Sequence, residues 1–364
     1  MESNKSLNRV TLKKILYNKV SFFSLFVIFI FLLLTVFSYQ FMPEKTPMAN
    51  NINLPIAKKK PGFKAQFLLF KKDILIPEKN IIHQFFFGKE KPYYEFAIDQ
   101  FYIEHDTLYY SVYNSSSPKF EKVQIEKLYF TKNKVCVIEK TFFLGTDKYG
   151  RDLLSRVILG TRISFSVGFI SVLISIFLGV FLGLIAGYYG GKLDFFICWI
   201  INVVWSIPTL LLVIAISLVL GKGFWQVFVA VGLTMWVEVA RITRGEVLKI
   251  SKLPYIEAVQ SFGLPDVKIL WKHILPNILN PIIIISAANF ATSVLLESGL
   301  SFLGVGVQPP MPSWGMIFRN HYGCIVMEKA YLSLVPGFCI VILVMAFMLL
   351  GNSLRDTLDT KAKK

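Results

Sequence analysis

Four polar side chains recur along one predicted helix and are the residues of this chain best placed to do chemistry inside apolar surroundings. Ser286, Asn289, Ser293 and Glu297 are spaced by three, four and four residues, which places them on one helical face. Glu297 is the only acidic residue deep within a predicted apolar segment, where ionisable groups usually face a cavity or a partner. The pattern predicts a polar, water-accessible path. The alternative is an interhelical hydrogen-bond network, or a glutamate neutralised by burial.

The chain lacks the spacings that enzymes use for phosphate, zinc or acyl chemistry. Gly221, Lys222 and Gly223 have neither the spacing nor the hydroxyl residue of a phosphate-binding loop. The HExxH and GxSxG patterns are absent from the sequence. The four cysteines show no CxxC spacing, and the four histidines fall in predicted loops. We therefore expect no catalytic residue, no metal site and no cofactor.

The composition shows that lipid must be the solvent for much of the chain. Of 364 residues, 54% are hydrophobic and 17% charged, and 39 Lys+Arg against 23 Asp+Glu give a net charge of +16. This balance excludes a disordered chain. Long uncharged apolar runs also argue against nucleic-acid binding, which the basic charge alone would favour, and we expect no nucleic-acid partner. Membrane lipid is the expected surrounding.

Six apolar windows are long enough to cross a bilayer core as helices, which takes about 20 residues. They cover about 20–39, 163–188, 194–220, 223–240, 281–303 and 331–351. The first follows a basic tail and superficially resembles a signal peptide. Its apolar core is too long and no cleavage pattern follows it, so it is predicted to be an uncleaved anchor.

Two of these windows contain residues that predict how the helix packs or bends. In the second, small residues recur every four positions, at Ser171, Ser175, Gly179, Gly183 and Gly187. Such a stripe lets another helix approach backbone to backbone, and we interpret it as a packing device rather than a pore-facing surface. In the third, Pro208 is predicted to kink the helix, with Ser206 helping to satisfy the freed backbone.

The topology of six spans predicts which segments share a side of the membrane. The basic tail 1–19, the charged stretch 241–280 and the tail 354–364 fall on one side, which the positive-inside rule makes the cytoplasm. Both termini are thus predicted to be cytoplasmic. The expected fold is an all-α polytopic membrane protein, with the first helix at 20–39 and a core of five transmembrane helices at 144–353.

Residues 40–143 are predicted to form a small β-rich insertion outside the cytoplasm. The segments 93–104 and 107–113 are short and aromatic-rich, and turn clusters stand at 114–118 and 132–134. Two interpretations stay open for this insertion, namely a docking surface and an elaborated loop without a binding role.

The stretch 241–280 has the most specific pattern in the chain. A short helix around Glu257 is predicted to stop near Gly263 and Pro265, and Asp266 is predicted to cap a second helix that ends before Pro276. A short helix that protrudes between basic segments at a membrane face could dock into a groove on a cytoplasmic partner.

This stretch resembles the EAA loop of ABC-importer permeases. The loop reads EAA, three residues, Gly, nine residues, then a hydrophobic residue, any residue, Leu and Pro. Five positions match in register: Glu257, Ala258, Gly263, Leu275 and Pro276. Val259 stands where a second Ala is usual, and His273 stands where Ile or Val is usual. The amino-acid sequence of 273–277 is similar to that of the peptide and nickel branch of the family.

Two further stretches resemble dipeptide and oligopeptide permeases of the C type. They are 144–164, which begins Leu-Gly-Thr-Asp-Lys-Tyr-Gly-Arg-Asp, and 300–315, which ends in Pro-Ser-Trp-Gly. In the first, we interpret Asp147, Arg151, Asp152 and Arg156 as ion pairs that fix a surface helix, in preference to substrate contacts. The glycines and prolines of the second are expected to shape a re-entrant turn. The insertion at 44–143 lies outside the resemblance.

The resemblance implies a subunit of a bacterial inner membrane that forms a heterodimer with a second permease. The pair would be driven by two cytoplasmic ATP-binding subunits and fed by an extracytoplasmic substrate-binding protein. The implied coupling residues are Glu257, Ala258, Val259, Gly263, Leu275 and Pro276, and the chain itself would hydrolyse no ATP. The implied cargo is peptides. The alternatives are nickel or another small solute, or a secondary transporter that is not coupled to ATP.

Overall fold

The computed structural model describes five stretches of the chain: 17–73, 80–114, 120–131, 136–221 and 223–359. The turns predicted at 115–118 and 132–134, most of the tail 1–19 and the end of the tail 354–364 lie outside them. The chain forms two compact units. The first comprises Met1–Leu32, Ser164–Gln308 and Phe338–Lys364, and the second Leu33–Ile163 and Pro309–Gly337.

The described part of the chain is mainly helical. The helices in chain order are α1 (Lys19–Val36), α2 (Ser38–Phe41), α3 (Ile81–Phe87), α4 (Leu153–Tyr189), α5 (Gly191–Trp205), α6 (Thr209–Leu220), α7 (Phe224–Ile250), α8 (Pro254–Ser261), α9 (Asp266–Ile269), α10 (Leu275–Leu303), α11 (Trp314–His321) and α12 (Tyr331–Asp359). The strands are β1 (Phe63–Lys71), β2 (Tyr93–Glu104), β3 (Thr107–Val112), β4 (Phe120–Gln124) and β5 (Val137–Phe142).

Within the described residues, five helices are long and apolar enough to cross a membrane, or six if α5 and α6 count as one span. The third predicted window is not one straight helix, because α5 and α6 are bent by 94°. Pro208 stands immediately before α6, and the Ser206 hydroxyl donates to the Val203 carbonyl at 2.8 Å. The predicted kink is therefore confirmed, with Ser206 bonded to the backbone of the preceding turn.

The small-residue stripe of α4 packs against α7. A Cβ added at Gly179 would lie 2.6 Å from the Trp236 carbonyl oxygen, and one added at Gly183 would lie 2.6 Å from the Ala240 carbonyl oxygen. Side chains between the two backbones are therefore excluded at these positions. The Ser171 hydroxyl extends the same contact by donating to the Phe228 carbonyl at 3.0 Å. The predicted packing role of the stripe is confirmed.

The second unit contains a five-stranded antiparallel sheet of order β4-β3-β2-β1-β5. Alternate residues of β1 face opposite sides, so Leu68 joins one buried cluster with Ile98 and Leu108, and Phe67 joins another with Ile56 and Phe142. The predicted β-rich character of the insertion is confirmed. Its strand β1, which lies between β2 and β5, was not among the predicted strands.

The end of the second helix in the stretch 241–280 was predicted wrongly. This helix does not stop before Pro276, because α9 continues through one π-helical turn, Leu270–Ile274, into α10. Proline lacks the N–H of a regular helical bond, and the wider π turn precedes it where a regular turn would clash. Asp266 also does not cap the helix, since Pro265 occupies the cap position without a side-chain hydrogen bond.

Candidate functional site

The EAA-like loop, residues 251–274 between α7 and α10, is built on a buried anchor. Pro254 occupies the first turn of α8, where its missing N–H costs nothing. Ile256 in the same turn is fully buried among Val247, Ile269 and Ile274. The loop is therefore anchored to the end of α7 and the start of α10.

The six residues predicted from the motif divide into two groups. Val259 and Leu275 are half-buried and pack against the Ile256 cluster. The other four are exposed: Glu257, Ala258, Gly263 and Pro276. Large apolar side chains beside them are exposed as well, with Phe262 at 83%, Val267 at 64% and Trp271 at 66%. These three define, with Glu257 and Ala258, an exposed surface that we call the loop surface.

Gly263 is required by its backbone conformation. Its φ is +75°, in the left-handed region, and it follows the last turn of α8. An added Cβ would meet no atom within 4 Å. A larger side chain would therefore fit the space but strain the backbone, since the left-handed conformation costs an L-residue roughly 1–2 kcal/mol.

Tyr188 connects the EAA-like loop to the end of α4, and the sequence reasoning did not include it. Its hydroxyl donates to Asp266 Oδ1 at 2.9 Å and accepts from Gln260 Nε2 at 3.3 Å. A second tie lies at the other end of the loop, where Asn277 Nδ2 donates to the Tyr255 hydroxyl at 3.1 Å. No motif marks Tyr188, because its role follows from contacts between residues more than seventy positions apart.

The predicted polar stripe on α10 is buried in this chain. Glu297 and Ser293 are fully buried, Asn289 is 1% exposed and Ser286 is half-buried. Glu297 accepts from the Ser164 hydroxyl at 3.0 Å and from the Ser301 hydroxyl at 2.7 Å. The first bond crosses from α4 to α10 and the second stays on α10.

The other members of the stripe have different surroundings. Ser293 Oγ donates to Met235 Sδ at 3.0 Å, and Ser286 Oγ donates to the Ile282 carbonyl at 2.5 Å. Asn289 Nδ2 is buried without a hydrogen-bond partner among the described residues. The four side chains therefore share one helical face, as predicted, but they form no continuous hydrogen-bonded chain in the described structure.

The charged segment before α4 forms a buried ion-pair cluster. Asp147 Oδ2 contacts Arg151 Nη2 at 2.6 Å and lies 3.8 Å from Arg156 Nε, with all three side chains buried. Asp152 accepts from the backbone N–H of Ser155 at 3.0 Å, as a helix N-cap does. The ion-pair interpretation is therefore confirmed for Asp147, Arg151 and Arg156, whereas Asp152 acts as a helix cap.

Comparisons with known proteins identify the family. Residues 179–364 match the family described as "Binding-protein-dependent transport system inner membrane component". The chain belongs to this family.

Two relatives agree with that match. The glutathione transport system permease protein GsiD of Pectobacterium atrosepticum is 41% identical over 221 residues, which covers 61% of this chain and 73% of GsiD. The dipeptide transport system permease protein DppC of Bacillus subtilis is 38% identical over 222 residues, which covers 61% of this chain and 69% of DppC. A solved structure of the MetNI methionine ABC transporter has a TM-score of 0.46 and 19% identity, covering 55% of this chain and 95% of that one.

The protein is thus a membrane permease component of an ABC importer, and it is not an enzyme. Permeases of this family work with ATPase and binding-protein partners, and ATP hydrolysis takes place on the separate ATPase subunits. In the described part of the permease, no group of three or more His, Cys, Asp or Glu side chains is arranged to hold a metal ion.

His321 of the permease is a buried structural residue. Its Nε2 accepts from the backbone N–H of Lys148 at 3.2 Å, so Nδ1 carries the proton and donates to the Ile317 carbonyl at 2.7 Å. Burial lowers the pKa of this imidazole below its ordinary value of 6.5. The neutral form is therefore the one that holds the Lys148 segment against α11.

Proposed function

We propose that the permease imports di- and oligopeptides. The support comes from its relatives, since the names of GsiD and DppC assign them to glutathione and dipeptide transport, and glutathione is itself a tripeptide. We infer further that it forms a heterodimer with a second permease, which binds two ATPase subunits and receives cargo from an extracytoplasmic binding protein.

The proposed orientation places the EAA-like loop and both termini in the cytoplasm. Basic residues at the loop-side ends of the helices support it, among them Lys249, Lys252 and Arg355. The five-stranded sheet then lies outside the cytoplasm.

The observation that carries the proposed coupling role is the loop surface. It combines a short, exposed helix with three large exposed apolar side chains, which suits insertion into a groove of a partner. Glu257 and Ala258 would contact the ATPase, Gly263 would fix the shape of the turn, and Pro276 would shape the return of the chain. Val259 and Leu275 would transmit force through the Ile256 cluster.

The coupling movement has a direct mechanical route in this proposal. From Asp266 to Leu303 the chain is one helical rod of 38 residues, about 57 Å long at 1.5 Å per residue. Displacement of the loop surface would move this rod as a unit and, through Tyr188, the end of α4. Coupling in this sense requires two arrangements of the rod that ATP and cargo favour differently.

The path role of Ser286, Asn289, Ser293 and Glu297 stays a prediction. The contacts of Glu297 support the alternative of an interhelical network, because both carboxylate oxygens accept hydroxyl protons within the bundle. Cysteine labelling along α10 separates the two. A path requires faster labelling at Asn289 and Ser293 than at Leu295, on the exposed apolar face.

Disulfide cross-linking tests the coupling proposal. Glu257→Cys in the complete importer should cross-link to a cysteine in the groove of the ATPase subunit, and ATP should change the yield. Lys192→Cys is the matched control, because it is exposed just beyond the same end of α4 but lies outside the loop surface. Equal cross-linking from the two positions would show that the loop surface is not the site that docks to the ATPase.

A further inference from the structure

Glu238 lies in the middle of a membrane-spanning helix, which the hydropathy of the sequence did not indicate. The predicted window 223–240 placed it near the end of a span, whereas α7 runs from Phe224 to Ile250. At 1.5 Å per residue, Glu238 is therefore about 20 Å from either end of the helix. Its side chain is exposed and has no hydrogen-bond or ion-pair partner among the described residues. An unpaired carboxylate at this depth is costly in lipid, so this face of α7 must meet water or another polar group.

The break between α5 and α6 is exposed beside Glu238. Every residue of 205–210 is exposed, through the 94° bend between the two helices. Lipid cannot satisfy the polar groups of irregular backbone, which is tolerated at membrane depth only where protein covers it or where it lines a water-filled cavity. Two independent features, the break and the carboxylate, therefore exclude lipid from this surface.

A cavity of about 100 Å³ joins the two features. Its lining includes Glu238 and Thr234 of α7, Thr209 at the start of α6, Thr292 of α10, and Trp205. The volume is several times the roughly 10–15 Å³ that one water molecule needs. The cavity can therefore hold a small polar group together with water.

The polar atoms of this cavity are suited to accept hydrogen bonds. The Thr234 hydroxyl donates to the Val231 carbonyl at 2.8 Å, and the Thr292 hydroxyl donates to the Ala288 carbonyl at 3.0 Å. Both protons are used within their own helices, so the two hydroxyl oxygens are left as acceptors. Together with the ionised Glu238 carboxylate, they favour a ligand that carries several donors and a positive charge.

Arg241 is the cation that could compete for Glu238, since it follows one turn later on α7. Its guanidinium instead lies over the Trp205 ring, 4.2 Å from the ring centroid. No ion pair joins Arg241 to Glu238 in the part of the chain that the structure describes. Arg241 therefore holds the ring that forms one wall of the cavity, and the carboxylate stays open to a cation from outside the chain.

We propose that this cavity binds the protonated α-amino group of the cargo peptide during its passage, with Glu238 as the counter-ion. A primary ammonium has three N–H donors and no acceptor, which complements one carboxylate and two hydroxyl oxygens. The inference rests on the proposed import of peptides, and it adds the chemical group that the permease itself recognises. Glu238 is then a residue that determines specificity in the translocation path.

A comparison of two peptides with two variants tests this contact in the complete importer, reconstituted in liposomes. The peptides are trialanine and trialanine acetylated at its amino terminus, and the measurement is stimulated ATP turnover against peptide concentration. Glu238→Gln should lower the efficiency of stimulation by trialanine about tenfold to a hundredfold, the range for a hydrogen bond to a charged group. It should leave stimulation by the acetylated peptide unchanged, which a misfolded variant could not do. The same binding protein serves both variants, so its own selection between the peptides cancels.

The matched control is Glu246→Gln, which removes a carboxylate from the same helix at a position outside the cavity, where Glu246 pairs with Lys249. This variant should respond to both peptides as the wild type does.

A chemical rescue needs trialanine alone. Glu238→Cys should lose stimulation by trialanine, and sulfonatoethyl methanethiosulfonate, which places an anion at this position, should restore much of it. The trimethylammonium analogue of the reagent places a cation there and should restore none. The wild type, treated in the same way, is the control for the native cysteines.

Three results would overturn the inference. Undiminished stimulation of Glu238→Gln by trialanine would show that the carboxylate does not contact the cargo. An equal loss for both peptides would assign Glu238 to an ion pair with the second permease, and equal effects of the two reagents would show that charge at this position is not recognised. In each of these cases the wild type still responds to trialanine, whereas a wild type that responds to neither peptide would refute the proposed peptide import itself.

Discussion

The close packing of α4 against α7 predicts a sharp difference between two glycine substitutions. Gly183→Ala places a Cβ 2.6 Å from the Ala240 carbonyl oxygen and 2.6 Å from Thr243 Cβ, distances at which α4 and α7 must separate. Gly245→Ala, on α7, places a Cβ in open space. Both changes gain the same helix propensity, about 1 kcal/mol, so that gain cancels when the two variants are compared.

The remaining difference is the cost of forcing an extra carbon into a packed contact, about 1–3 kcal/mol. We therefore expect Gly183→Ala to have a free energy of unfolding lower than that of Gly245→Ala by this amount. Unfolding of the purified permease by SDS in mixed micelles, followed by circular dichroism, measures both. Equal free energies of unfolding for the two variants would show that the small-residue stripe does not set the approach of α4 and α7.

Three other outcomes are expected. Protonation of His321 removes the acceptor for the Lys148 N–H, and burial lowers the pKa of this imidazole in the folded state. The folded protein therefore loses stability as the pH falls below about 6.5. His321→Gln, which keeps an acceptor, should therefore lose less stability than the wild type between neutral and mildly acidic pH in unfolding titrations. Glu297→Ala should lower the free energy of unfolding by about 1–3 kcal/mol, because it leaves buried hydroxyls of Ser164 and Ser301 with one acceptor fewer, and Glu297→Gln should lose less. Tyr188→Phe should weaken peptide-stimulated ATP turnover while leaving basal turnover unchanged, and equal stimulation would remove Tyr188 from the coupling route.

Hydropathy located five of the six predicted spans as long helices, because a bilayer requires long apolar helices wherever the chain crosses it, but the third window is divided into α5 and α6. The kink at Pro208 could be predicted from one residue type, and the packing of Gly179 and Gly183 from the spacing of small residues along one helix. Short-range rules failed at Pro276. A proline normally ends a helix, but the π turn before it lets α9 continue into α10.

Contacts between distant residues could not be predicted from local patterns. Glu297 was recognised from the sequence as an acidic residue within an apolar segment, but its partner Ser164 lies 133 positions away on another helix. Tyr188 has no motif, and its partners Gln260 and Asp266 lie more than seventy positions away. Local periodicity shows which face a residue occupies, whereas the identity of the neighbouring face depends on tertiary packing.

The coupling role of the EAA-like loop is tested most directly at Gly263. In the reconstituted importer, Gly263→Ala forces an L-residue to a φ of +75°, at a cost of roughly 1–2 kcal/mol, whereas Gly263→Asn tolerates this conformation better. The measurement is peptide-stimulated ATP hydrolysis relative to basal hydrolysis, with membrane insertion checked separately. We predict that stimulation is lost in the alanine variant and largely kept in the asparagine variant. Full stimulation in the alanine variant would contradict the proposed coupling.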